Sequence, residues 1–259
     1  MNIVVLVKQV PDSGADRALR PDDQTVDRSS ATNVINEMDE YAIEEALKLQ
    51  EAHGGEVTIL TVGPGQAVEA IRKALQMGPD KAVHVVDDAM PGSCAVATAK
   101  VIAAAVRSLD PDLVLAGAES TDGRVQVMPQ MIAERLGIAA LTGARKLTVD
   151  GATLTVERQT EEGYEVLSAS TPAVVSVWDT INEPRYPSLK GIMAAKKKPI
   201  QTLSLADLGI SPDEVGFAGA TSRVVDSAKR PPRQAGTKVT DSGDGGTQLV
   251  EFLASEKFV

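Results

Sequence analysis

A chain of 259 residues with 43% hydrophobic side chains is long enough to bury a substantial core, which excludes global disorder. Only 3% of the residues are aromatic, so Ala, Val, Ile and Leu must fill the interior, and that suits parallel α/β layers better than an aromatic-rich β-sandwich. A formal net charge of -10 argues against broad contact with a nucleic-acid backbone, and a single cysteine, Cys94, excludes an internal disulfide framework and any multi-cysteine metal or iron–sulfur site.

The first element is "IVVLVKQV" (Ile3–Val10), a continuous apolar strand ended by the turn chemistry of Pro11-Asp12. Its apolar run is too short for a signal peptide, and no run approaches the ~20 apolar residues of a membrane span, so the expectation is a soluble, intracellular, cytoplasmic protein. The polar stretch Asp12–Asn33 is long for a loop, which marks it for function. "DEYAIEEALKLQEAH" predicts a helix with Ile43, Ala46 and Leu47 on one face, stopped by Gly54-Gly55. A strand "EVTILTVG", a helix "GQAVEAIRKALQMG" with Val68, Ile71, Ala74 and Leu75 at helical spacing, and a strand "KAVHVVD" follow. Next come a helix "SCAVATAKVIAAAVRSLD", a strand "DLVLAG" and a helix over residues 127–136 ending at Gly137. This alternation predicts βαβ units, right-handed crossovers and a mostly parallel, doubly wound sheet covered on both faces.

From about Ala144 the period changes to two. "ARKLTVDGATLTVERQT" reads as a hairpin about Asp150-Gly151, Glu161–Gly163 turns into a third antiparallel strand "YEVLSAS", and "AVVSVW" returns to the core. After Lys198 the apolar density falls. The organisation expected is an α/β nucleotide-binding domain over residues 1–200, carrying an exposed loop at 182–198, and an extended arm over 201–259 that must pack on something other than itself.

In an open parallel sheet, ligands bind beyond the carboxyl ends of the strands at a topological switch point. Three segments gather there: Lys8–Ser13, "VGPG" (Val62–Gly65) and "AGAESTDGRVQVMP" (Ala116–Pro129). The last is rich in small and hydroxyl residues and leads into a helix N-terminus, where free N–H groups and the helix dipole favour an anion such as phosphate. An ordinary capped loop has the same composition, so spacing alone leaves the two readings level. "VGPG" holds half a dinucleotide fingerprint, and neither complete glycine-rich phosphate motif is present. "YPSLK" (Tyr186–Lys190) has the spacing of a Tyr/Lys catalytic pair, but Pro187 forbids the helix that pair needs. His53 reads as a helix end, His84 as a packed neutral imidazole, Cys94 as a buried thiol, and Glu44-Glu45 and Glu161-Glu162 as solvated faces or turns. No acid, base or nucleophile stands out, which suits binding or electron transfer rather than bond chemistry.

"NEPRYPSLKGIMAAKKKPI", with "VERQTEEGYEVLSASTPAVVSV" (Val156–Val177) upstream, resembles the signature of the electron transfer flavoprotein β-subunit family. "VLVKQVPD", "NEMDEYAIEEALKL" and "IRKALQMGPDKAVHV" extend the resemblance over nearly the whole chain. It implies a Rossmann-like fold and an electron carrier rather than an enzyme. It further implies pairing with an α subunit, FAD in the cleft between the subunits, and AMP held by the β subunit. Acyl-CoA dehydrogenases would donate electrons, in fatty acid β-oxidation, and a membrane ETF-quinone oxidoreductase would accept them. By the same resemblance, the AMP contacts fall on Leu6, on Asn36, Glu37, Met38 and Asp39, on Val62, and on Gly117, Ala118, Glu119, Ser120, Thr121, Asp122, Gly123, Arg124, Val125, Gln126, Val127 and Met128. Leu189 falls where the family places the anchor that enters a pocket on the dehydrogenase. Many relatives read G-K-Q-A-I-D where this chain has "GAESTD" (Gly117–Asp122), and Gln-Val-Gly-Pro stands here as "QVMP"; Arg124 is placed to compensate by meeting a phosphate. Two other readings stay open at this point: an electron-bifurcating relative with a second FAD in place of AMP, and a stand-alone adenine-nucleotide-binding stress-type protein.

Overall fold

Short runs of β-branched residues set the frame in the computed structural model, which describes residues 1–15, 18–233 and 235–259. In chain order the elements are β1 (Asn2–Leu6), β2 (Gln9–Pro11), β3 (Asn33–Ile35), α1 (Glu37–His53), β4 (Glu56–Val62), α2 (Val68–Met77), β5 (Lys81–Val85), α3 (Ala95–Leu109) and β6 (Leu113–Gly117). Then follow α4 (Met128–Leu136), β7 (Ala139–Asp150), β8 (Thr153–Gln159), β9 (Tyr164–Ser170), β10 (Ala173–Val177), α5 (Leu189–Ala195), β11 (Ile200–Leu203), α6 (Gly216–Gly219) and α7 (Gly245–Ser255). Nine strands form one sheet in the order β11-β5-β4-β1-β6-β10-β7-β8-β9. The pairs from β11 through β7 are parallel, and β8 and β9 extend the sheet antiparallel. The doubly wound, mostly parallel architecture with a hairpin extension is therefore the one the sequence predicts.

The strands alternate between two cores, as period-two geometry requires. Ile3, Val5 and Val7 join Ile43, Ile71 and Leu75 in one buried cluster, under α1 and α2. Val4 and Val114 join Val101, Val106 and Ile132 in the other, under α3 and α4. Each fully buried aliphatic side chain of this kind contributes about 1.5–3 kcal/mol. Val68, expected on the apolar face of α2, is instead 37% exposed at its first turn.

Several boundaries differ from the sequence reading, each for a physical reason. Ile3–Val10 is not one strand. The Lys8 N–H is taken by the Asp39 carboxylate at 2.8 Å rather than by a sheet carbonyl, and Gln9–Pro11 peels off to pair with β3. β7 starts at Ala139, not near Ala144, because its first half runs parallel to β10 before its second half pairs with β8. The register Asp150↔Thr153 makes Gly151-Ala152 the turn. Residues beyond 200 are not loop-like at once: Ile200–Leu203 adds an edge strand to β5, and Leu205, Ile210 and Val215 enter the second core cluster. The first compact unit accordingly runs from Met1 to Val225, past the boundary expected at residue 200. The second unit, Asp226–Val259, contains α7, which buries none of its residues and exposes Leu249, Val250 and Phe252.

The segment after β10 has no regular period until α5, yet it is tightly seated. Arg185 meets Glu44 through Nε at 2.7 Å and Nη2 at 3.0 Å, its backbone N–H donates to the same carboxylate at 3.2 Å, and Nη1 reaches Glu51 at 2.5 Å. Asn182 Nδ2 donates to the Tyr41 carbonyl and to Glu45, both at 3.0 Å. Glu44 and Glu45 are only 6% and 5% exposed, so they are buried anchors on α1 and not a solvated face. Arg72 from α2 donates to the Ala195 and Lys198 carbonyls at 2.7 and 2.8 Å. Gly191 lies so close to α2 that a Cβ would stand 2.5 Å from the Gln76 carbonyl oxygen.

Replacing Arg185 by Ala leaves the buried Glu44 carboxylate without its cation. Breaking a fully buried pair costs about 3–5 kcal/mol, but this guanidinium is a third exposed and partly screened, so the expected loss is about 2 kcal/mol. Arg185→Lys should recover only part of it, because an ammonium cannot pair bidentately. Urea unfolding midpoints check both; an unchanged midpoint for Arg185→Ala would contradict the anchoring role.

Candidate functional site

The order in which the parallel strands are laid down changes side at β1, with β4 on one side and β6 on the other, so the switch-point crevice opens at the carboxyl ends of these strands. Three segments meet there: the turn after β1, the start of α1, and residues 117–128 between β6 and α4. Gly117 lets them approach. A Cβ on it would stand 2.6 Å from Asp39 Oδ1 and 2.7 Å from Met38 Cβ, so only glycine allows α1 to close on this strand end.

Asn36, just ahead of α1, acts as a clamp. Its Nδ2 donates to Asp39 and to the Glu119 carbonyl, both at 2.9 Å, and its Oδ1 accepts the Thr121 N–H at 3.0 Å. Asp122 is the second clamp. Its side chain is 1% exposed, with one oxygen accepting from Lys8 Nζ at 2.7 Å and the other from Arg28 at 2.6 Å. Lys8 Nζ also donates to Ser120 Oγ at 3.2 Å. Although burial opposes ionisation, the adjacent Lys8 and Arg28 charges and the hydrogen bonds from Lys8 and Ser120 hold the Asp122 carboxyl far below the usual carboxylate range. Through Arg28 the long excursion after β2 is tied to this loop. Arg28 carries no sequence signal of its own, and Lys8 shows only as a charge inside an apolar run.

Asn36, Met38, Asp39, Gly117, Glu119, Ser120, Thr121 and Asp122 are thus brought together. Ala118 is buried beside them, and Leu6, Val62 and Met128 are half-buried hydrophobics packed against the core at the crevice. Glu37 turns away: its carboxylate accepts from Ser13 Oγ at 2.9 Å and borders a separate groove with Asp12 and Glu40. The side chains of Asn36 and Asp39 are spent on one another and on the backbone, and that of Asp122 on Lys8 and Arg28, so they shape the crevice rather than face it. What faces outward is the run 123–127, which is exposed and has Arg124 and Gln126 in left-handed backbone conformations at φ 46° and 54°. Gln126 is held by Glu119 at 2.7 Å. The N–H groups of Val125, Gln126 and Met128 find no acceptor among the described residues, and they sit at the positive end of α4. That donor set fits a phosphate group.

Away from the crevice, Leu189 is 84% exposed as the first residue of α5, behind a Ser188 cap that accepts the Gly191 N–H at 3.0 Å. Tyr186 and Met193 are exposed beside it in sequence. His84 is buried and neutral, donating Nε2–H to the Gly63 carbonyl at 3.2 Å, and burial holds its pKa below the ordinary value. Cys94 departs from the expected buried thiol. It is half-exposed at the N-terminus of α3, and although burial pushes the thiol up, hydrogen bonds from Thr221 and nearby amides bring it down to about 6.

Fold and crevice define a doubly wound α/β protein with unpaired backbone N–H groups at its switch point and a seated segment that exposes Leu189. Comparison with known proteins narrows this. Residues 6–208 match the family model of the electron transfer flavoprotein domain. The electron transfer flavoprotein subunit beta of Mycobacterium leprae is 51% identical, over 100% of this chain and 99% of its own length. That of Thermoanaerobacterium thermosaccharolyticum is 39% identical over 100% of both. The caffeyl-CoA reductase-Etf complex subunit CarD of Acetobacterium woodii is 34% identical over 98% of this chain and 96% of its own length. The chain belongs to the electron transfer flavoprotein family, among its beta subunits. No helix among the described residues is long and apolar enough to cross a membrane.

Burial pushes the Asp39 carboxyl up to about 7, against the hydrogen bonds from Asn36 and the Lys8 amide, which favour the ionised form. Its unfolded value is about 4, so the folded state binds the proton more tightly. This contribution to stability is full below pH about 4 and is lost as the pH rises to about 7. Asp39→Asn cannot ionise and should flatten that decline. Urea midpoints across the pH range check it; a variant with the same slope as the wild type would contradict the assignment.

Proposed function

We propose that this chain is the beta subunit of a heterodimeric electron carrier in the cytoplasm. It pairs with an electron transfer flavoprotein alpha subunit, forms one wall of the FAD cleft, and holds AMP in the crevice at the ends of β1, β4 and β6. The heterodimer takes electrons from acyl-CoA dehydrogenases and passes them to an ETF-quinone oxidoreductase. Bound FAD would supply the electron-carrying chemistry, and the turn after β1 would be this chain's contribution to its cleft. The AMP phosphate would rest on the free N–H groups of Val125, Gln126 and Met128, with Arg124 within the same run; Leu6, Val62 and Met38 would offer apolar contact to the base. The arm from Asp226, with its uncovered apolar helix α7, would pack on the alpha subunit.

The observation that carries this reading is Leu189. A leucine left 84% exposed on a segment fixed by the partly buried Arg185–Glu44 pair and Pro-bounded backbone has no role in its own core. Burying it on a partner contributes about 2 kcal/mol, and the rigid seat limits the ordering cost of binding. A carrier that must leave its donor quickly needs a small anchor of this kind.

Leu189→Ala should weaken the encounter between the reconstituted heterodimer and an acyl-CoA dehydrogenase about ten- to thirty-fold, seen as slower reduction of the flavin in stopped flow. Melting temperature and nucleotide content should stay at wild-type values, whereas a core leucine would lose about 2–5 kcal/mol of stability. A destabilised variant with normal donor kinetics would overturn the anchor reading. For the crevice, mass spectrometry of the denatured, isolated chain should find one adenine mononucleotide; stoichiometric FAD would replace the AMP assignment, and no nucleotide would remove it.

A further inference from the structure

Asp122 has more cation than its burial requires. Its side chain is 1% exposed, so it must be neutralised, and either Lys8 at 2.7 Å or Arg28 at 2.6 Å is enough for that. Neither cation is used up by it. Arg28 gives only Nη2 to Asp122, and the hydrogens on its Nε and Nη1 find no acceptor among the described residues. Lys8 Nζ gives two of its three protons, to Asp122 and to Ser120. A Cβ on Gly123 would stand 3.8 Å from that nitrogen, at the start of the exposed run. Arg124 follows, with no carboxylate partner among the described residues. Lys8, Arg28 and Arg124 thus stand against two carboxylates, Asp122 and the Glu119 that holds Gln126, in a chain whose net charge is -10.

Arg28 is carried on a built support. Leu19 bridges Val26 antiparallel, the Arg20 N–H donates to the Thr25 carbonyl at 2.8 Å, and the Asp27 N–H donates to the Ala18 carbonyl at 2.9 Å, so residues 18–27 form a small ribbon. On its other side the Arg28 carbonyl accepts from Asn33 Nδ2 at 2.8 Å. Among the described residues, the hydrogen-bonded tie between 18–32 and 117–128 is the Arg28 side chain. Resting on the nucleotide reading above, we infer that Arg28 contacts the phosphate of the nucleotide in the crevice, and that the ribbon behind it is the latch that slows release. The guanidinium keeps Nη2 on Asp122 and offers Nε and Nη1 to the phosphate, a fork that an ammonium cannot supply. A phosphate monoester carries roughly -1.5 to -2 charges near pH 7, which answers the surplus cation together with the positive end of α4. A nucleoside without phosphate answers none of it.

The experiment compares AMP with adenosine on the reconstituted heterodimer, refolded free of nucleotide, as wild type, Arg28→Ala and Arg28→Lys. Arg28→Ala should bind AMP about ten-fold more weakly, chiefly through faster release of labelled AMP into an excess of unlabelled AMP. Its affinity for adenosine should equal that of the wild type. Arg28→Lys should recover part of the AMP affinity, because it keeps the charge and loses the fork. The melting temperature of the nucleotide-free variants should stay close to wild type, since Lys8 still neutralises Asp122. An equal loss for AMP and adenosine would make Arg28 a structural staple of the crevice and overturn the phosphate contact. Unchanged AMP binding and release in Arg28→Ala would overturn it too, while leaving the nucleotide reading in place. A wild type that binds neither compound would remove that reading and the latch with it.

Discussion

Helix α1 is an amphipathic element that carries polar side chains into the interior at its start and its middle, and the crevice and the segment that ends in Leu189 both depend on it. At its start, Asn36 and Asp39 are 1% and 6% exposed and fix the loop after β6 and the turn after β1. Two turns on, Glu44 and Glu45 fix Arg185 and Asn182, and with them the path of the segment that ends in Leu189. Buried polar groups are expensive unless every partner is present, so each of these side chains specifies one arrangement of a distant loop and penalises the others. Ile43, Ala46 and Leu47, flanking the acidic pair, lock the helix to the sheet. One helix thus sets the positions of a crevice and of the segment proposed to dock, which are far apart in sequence.

This arrangement separates scaffolding from recognition. In the crevice the polar side chains satisfy one another: the Asp122 carboxylate sits between the Lys8 and Arg28 cations, and the Asp39 carboxyl accepts from the Lys8 amide and Asn36. Backbone N–H groups before α4 remain for a ligand, and backbone donors at a helix start cannot be lost by side-chain substitution, only misplaced. The segment that carries Leu189 follows the same logic. Arg185, Asn182, Arg72 and Lys198 all point inward to hold it, and Leu189, Met193, Lys190, Lys196 and Lys197 are left outward. A carrier that binds briefly gains from such a split, because little conformational entropy is lost on each encounter.

The alternation of strand and helix was legible because parallel strands buried on both faces must be continuous apolar runs and their helices must show a 3.6-residue stripe. The exposure of Leu189 was legible from its setting between prolines and lysines, and the crevice from the small and hydroxyl residues after β6. What escaped depended on partners remote in sequence. Glu44 and Glu45 look like any acidic pair on a helix until Arg185 and Asn182 arrive from the segment after β10. The break between β1 and β2 is invisible because Val7 and Val10 are equally apolar; the Lys8 amide's bond to Asp39 decides it. β11 has only four residues, two of them polar, and owes its existence to the open edge of β5. Arg28 lies in a polar stretch where one arginine cannot be told from the next.

Hydrogen–deuterium exchange on two variants tests most directly whether α1 holds the two regions separately. In Glu44→Gln, amide exchange should rise across residues 182–198 and stay at wild-type levels across 117–128. In Asn36→Ala, it should rise across 117–128 and stay unchanged across 182–198. Local opening of this kind leaves the protection of β1, β4 and β6 intact. A rise spread over the whole sheet in either variant, or no rise in the segment each side chain holds, would contradict the account.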